Sequence, residues 1–206
     1  MAVSALSTLV IRNICSIFLL ISATLLTGCA SMYVDTATKE ISVSEFRKVA
    51  QPQPVQLSFE FQTNGAPNAT ATTFLKEKIT EQVKASGLFS SVELTPGAGG
   101  NMLSVTLNNV PITKDAAAQG FVTGLTFGLA GSAVTDGYVC TMRYLPAGQT
   151  EFIVTTAKHA IHTTLGNANP PVDAKKSANS TDAIHTMTRE ILSNNLRDLA
   201  ANPNFK

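Results

Sequence analysis

Val55-Gln56-Leu57-Ser58-Phe59-Glu60-Phe61-Gln62 alternates large apolar with polar side chains. A repeat of two puts Val55, Leu57, Phe59 and Phe61 on one face of a β-strand and leaves the other face to water. Asn64, Gly65 and Pro67 break the pattern, and Asn68 or Thr70 is placed to cap a helix. In that helix Ala71, Leu75, Ile79 and Val83 fall four apart, while Lys76, Glu77, Lys78, Glu81 and Lys84 fall outside the stripe. Gly87 follows where a left-handed residue ends a helix. A strand with one wet face followed by a helix with one apolar stripe is the unit from which a sheet covered on one side is built.

Downstream, residues 88–94 predict a short strand and residues 95–101 a Pro/Gly loop, and Leu103, Val105 and Leu107 alternate again. Residues 137–145 and 151–164 are rich in β-branched side chains and joined by Pro146-Ala147-Gly148-Gln149, the spacing of a hairpin. Residues 167–180 predict a polar loop. Residues 182–200 predict a second helix, with Ile184, Met187, Ile191, Leu192, Leu196 and Leu199 on its stripe. The expected fold class is α+β, a mainly antiparallel sheet with two amphipathic helices on one face.

The N-terminus carries a different signal. A single charge at Arg12 precedes an uncharged apolar run over residues 14–26, too short for an ordinary membrane span. Leu26-Thr27-Gly28-Cys29 follows. These four residues resemble the lipobox of bacterial lipoproteins, and the order of elements over residues 55–200 resembles uncharacterised Gram-negative envelope lipoproteins. The resemblance implies a signal peptide over 1–28, cleavage after Gly28, and diacylglyceryl and N-acyl chains, palmitate among them, on Cys29. It implies outer-membrane residence on the periplasmic side, because Ala30 and Ser31 replace the aspartate that retains family members at the inner membrane. Three acyl chains exceed the two signals that stable anchoring needs. Residues 29–54, polar and ending in Gln51-Pro52-Gln53-Pro54, are expected to form a tether, and residues 55–206 a single domain.

Loss of Arg12 with the signal leaves as many basic as acidic residues, 14 of each. Attraction to nucleic acid is therefore not expected. Cys15 leaves with the signal and Cys29 is acylated, so Cys140 has no internal disulfide partner.

Residues 116–135 are uncharged and glycine-rich, bounded by Asp115 and Asp136. As a helix they would reach about 30 Å, but glycines and polar residues offset the gain from the few large apolar ones. Gly120, Gly124 and Gly128 make a ridge for close helix packing, whereas Phe121, Leu125, Phe127 and Leu129 share a strand face. Either way these seven residues are the expected interaction surface. Asp136-Gly137 is expected as a turn.

No metal, cofactor or small-molecule substrate is expected. His159 and His162 lie on opposite faces of a strand and are expected at the surface without further metal ligands, and His185 on a solvated helix face. Cys140 lacks charged neighbours that would favour a thiolate. The expected function is a non-enzymatic binding or assembly lipoprotein, held on the bilayer through Cys29 and docking a protein partner or a second copy. The alternatives are a membrane-inserting or pore-forming component using residues 120–135 and, third, an envelope hydrolase.

Overall fold

In a computed structural model, residues 30–95, 100–112, 133–166, 169 and 172–206 are described. The strands are β1 (Ala30–Asp35), β2 (Val55–Thr63), β3 (Ala66–Pro67), β4 (Val92–Glu93), β5 (Met102–Pro111), β6 (Ala133–Leu145), β7 (Ile153–Leu165) and β8 (Ala174–Lys176). The helices are α1 (Ala69–Ala85) and α2 (Ser180–Ala201), with a 3-10 turn at Val43–Glu45. The described strands form one sheet in the order β3-β2-β5-β6-β7-β1-β8, with β4 also on β2. The fold is α+β.

Alternation along β2 works as the sequence predicts. Val55, Leu57 and Phe61 are buried and Ser58 is exposed. β5 runs parallel to β2, with Leu57 opposite Leu103, Phe59 opposite Val105 and Phe61 opposite Leu107. The parallel pair requires a crossover, which α1 supplies. β5, β6 and β7 are antiparallel, and the expected hairpin joins β6 to β7 through a turn in which Gln149 N donates to Pro146 O at 3.1 Å.

Asn68 is the α1 cap, its Oδ1 accepting from Ala71 N at 3.0 Å. Leu75, Ile79 and Val83 are buried, each contributing about 1.5–3 kcal/mol. Gly87 adopts φ +67° after the C-cap, as a helix stop at this position requires. α1 packs on β2, α2 packs on β7 and β6, and the helices touch each other, so both cover one face. Arg47 donates to the carbonyls of Ala200, Asn202 and Phe205, placing a cation at the C-terminal end of α2. Phe205 closes the adjacent core edge-on against Tyr144 and Phe89, at centroid distances of 5.0 and 5.7 Å.

Three expectations are corrected. Residues 30–54, read as a tether, contribute β1 and the 3-10 turn, and Val34, Asp35 and Phe46 are buried. Tyr33, Val34 and Asp35 pair with Lys176, Lys175 and Ala174, so the loop expected over 167–180 also yields a strand, β8. Asp136 and Gly137 are mid-ladder in β6, opposite Ile161 and Ala160, and form no turn. β8 and Asp136-Gly137 owe the difference to long-range pairing, which supplies hydrogen bonds to residues of low intrinsic β-propensity. Leu26, Thr27, Gly28 and Cys29, and Gly120, Phe121, Gly124, Leu125, Phe127, Gly128 and Leu129, lie outside the described residues.

Candidate functional site

The two histidines of β7 point to opposite faces, as a three-residue spacing requires, but neither is at the surface. Both are fully buried. On the helix side, His159 Nδ1 accepts from Ala160 N at 2.8 Å, leaving Nε2 as donor to Glu190 Oε2 of α2 at 2.7 Å. On the other face, His162 Nε2 lies 3.3 Å from Asp35 Oδ2 and Nδ1 lies 2.9 Å from Thr135 Oγ1. Asp35 Oδ1 also accepts from Ala37 N at 2.7 Å. A buried histidine needs partners for both ring nitrogens, and sequence spacing alone does not reveal partners 31 or 127 residues away.

Carboxylate, imidazole and hydroxyl at Asp35, His162 and Thr135 are the group types of a nucleophilic triad. Here the imidazole is sealed and both nitrogens are engaged within the fold. The Asp35–His162 contact joins β1 to β7 through their side chains.

Cys140 is buried, and burial pushes its thiol up to about 12, against a smaller opposing hydrogen bond from Asn195. The thiolate is thus strongly disfavoured at neutral pH, and with it nucleophilic reactivity. Burial likewise raises the Tyr138 phenol, with the Asp136 charge adding to the effect and a hydrogen bond with Asn109 opposing it. Among the described residues, no three His, Cys, Asp or Glu side chains converge as a metal site.

What the helices do form is a groove. α1, α2 and the segment 40–46 enclose a cavity of about 820 Å³, within the size range of ligand sites. Ile41, Phe46, Ala85 and Leu196 give it apolar walls. Its rim carries two exposed ion pairs, Arg189 Nε to Glu40 Oε2 at 2.8 Å and Lys78 Nζ to Glu81 Oε2 at 3.4 Å. Exposed pairs of this kind contribute up to about 1 kcal/mol each. Gln82 Nε2 bridges the helices by donating to Arg189 O at 2.7 Å.

Thr188 lines this groove at 2% exposure, and its Oγ1 has no hydrogen-bond partner among the described residues. A buried hydroxyl without a partner costs roughly 1–3 kcal/mol. Beside the groove, half-exposed Phe74 stacks on His185 with centroids 5.3 Å apart, and Val43 is also half exposed. His185, expected on a solvated face, is therefore half-buried under an aromatic ring. Sequence reasoning missed the groove. Thr188 and Ser193 do fall on the buried face of α2, and polar residues at core positions are the signal that was available.

No protein-family model matches the chain, and no curated protein does. Among solved structures, the PelC dodecamer from Paraburkholderia phytofirmans is 12% identical with a TM-score of 0.34, covering 83% of this chain and 98% of that one. A single-substitution variant of that dodecamer gives 13% identity and a TM-score of 0.36 at the same coverage. A candidate lipoprotein from Caulobacter crescentus CB15 is 10% identical with a TM-score of 0.28, covering 69% of this chain and 84% of that one. With all three scores this low, the functional reading of this chain rests on its own residues. No described helix is long and apolar enough to cross a membrane.

Proposed function

We propose that this chain is a lipid-anchored, non-enzymatic binding or assembly lipoprotein, held by acylated Cys29 on the periplasmic side of a Gram-negative outer membrane. In this reading it docks a protein partner in the groove between α1, α2 and residues 40–46. The observation that carries the docking site is the groove itself, with apolar walls at Ile41, Phe46, Ala85 and Leu196 and half-exposed Val43 and Phe74 at its side. A partner that covered these walls would take their apolar surface out of water. The lipobox residues Leu26, Thr27, Gly28 and Cys29 support the anchor.

Photo-crosslinking in cells tests the groove, with a photoreactive residue at Val43 or Phe74 and a control at Val154 on β7. The proposal expects one defined adduct from the first two positions, absent at the third. Ala85→Trp, which fills the groove from an exposed position on α1, should abolish it. No adduct at Val43 or Phe74, or one indifferent to Ala85→Trp, would refute docking there.

A further inference from the structure

If Cys29 is acylated as proposed, only Ala30 separates the anchor residue from Ser31, the second residue of β1. Ser31 O accepts from Thr164 Oγ1 at 3.4 Å and Met32 O accepts from Ser177 N at 2.9 Å, so the start of β1 is held on the sheet. Residue 29 lies two residues before Ser31, a reach of at most about 7 Å. A free linker over residues 30–54 would instead span about 25–30 Å on average.

The pairing fixes what lies at this end of the sheet. Ala133 is opposite Thr164 and Val134 opposite Thr163, while β7 ends at Leu165. Val134 and Leu165 are 58% and 59% exposed, although both are aliphatic. Exposed Lys176 lies across from Tyr33 on the neighbouring strand β8. Ile112 and Ala133, which flank the glycine-rich stretch in the sequence, are also here, Ile112 N donating to Thr135 O at 3.1 Å.

We infer that this end of the sheet is a lipid-facing surface, with Val134 and Leu165 at the headgroup boundary and Lys176 beside anionic headgroups. The inference rests on the reading of Cys29 as the acylated residue. Chain length then leaves the domain no room to stand off, and aliphatic side chains at such a boundary gain by leaving water. A nearby lysine adds attraction to anionic lipid. The occupant argued for is a bilayer, because the proposed anchor is joined by two peptide units to Ser31, which is held at this end of the sheet.

The test uses the full mature, lipidated chain in vesicles of phosphatidylethanolamine and phosphatidylglycerol doped with nitroxide-bearing lipid. An environment-sensitive fluorophore is attached after Val134→Cys, Leu165→Cys or, as control, Val154→Cys; buried Cys140 stays unlabelled. Val154 is 53% exposed and sits on the same strand as Leu165, about 36 Å from it at the rise of an extended chain. Fluorescence at positions 134 and 165 should be lost to quenching by the lipid nitroxide, and fluorescence at 154 retained. Equal quenching at all three, or none at 134 and 165 in vesicle-bound palmitoylated protein, overturns the lipid-facing surface alone. Absence of palmitate at Cys29 overturns the anchoring reading and this surface with it.

Discussion

Replacing Asp35 by alanine asks whether residues 30–35 belong to the domain. The Asp35 and His162 side chains are both fully buried, 3.3 Å apart. Asp35→Ala leaves His162 Nε2 and the Ala37 amide without their acceptor, the latter bonded at 2.7 Å in the native fold. Each donor left without an acceptor costs about 1–3 kcal/mol, so the two together are worth about 3–5 kcal/mol. For a domain of this size each kcal/mol shifts Tm by about 2–4 °C, so the midpoint should fall by roughly 6–20 °C. Urea unfolding of the mature chain should show the same loss through a lower midpoint at unchanged slope. The double replacement Asp35→Leu with His162→Leu should restore part of the loss, since it removes the orphaned imidazole and leaves only the Ala37 amide and the Thr135 hydroxyl to find new partners. Were residues 30–54 a tether outside the fold, Asp35→Ala would stay within about 0.5 kcal/mol of the parent. That result would refute the docking of β1.

Thr188→Val should stabilise the partner-free protein by about 1 kcal/mol, measured by urea unfolding, because it removes an unpaired buried hydroxyl without opening a cavity; destabilisation would show that the hydroxyl is satisfied. Gly87→Ala should cost about 1 kcal/mol in the same assay from backbone strain alone, since φ is +67° and a methyl group there meets nothing within 4 Å. For Cys140 the folded pKa lies above the unfolded one, about 12 against 9.0, so its stabilising effect is intact below pH 9 and is lost as pH rises towards 12. Stability should therefore fall above pH 9 with a Cys140 component of up to about 1.4 kcal/mol per pH unit. Cys140→Ala should flatten that part of the slope between pH 9 and 10; an unchanged slope would show that the thiol is not shielded.

Where a segment's neighbours in sequence decide its environment, the fold was legible. β2 alternates because one face meets α1, and α1 shows a four-residue stripe because it lies on that face, so both periods appear in short windows. The Asn68 cap and Gly87 stop are also local. β1 and β8 were not legible, because Asp35 reads as a solvent residue until His162 is brought to it from 127 positions away. His159 and His162 misled for the same reason: their carboxylate partners come from α2 and β1. The groove needs three segments at once, residues 40–46, α1 and α2, and no window of sequence contains them. Cys29 is the reverse case, a candidate site read from local pattern alone and lying outside the described residues.

Palmitate incorporation tests the account at its base. Cells expressing the chain with labelled palmitate should yield a mature protein beginning at residue 29, labelled on its first tryptic peptide and unlabelled after Cys29→Ala. An unlabelled protein, or a mature N-terminus anywhere else, would contradict the anchor and every membrane contact argued from it.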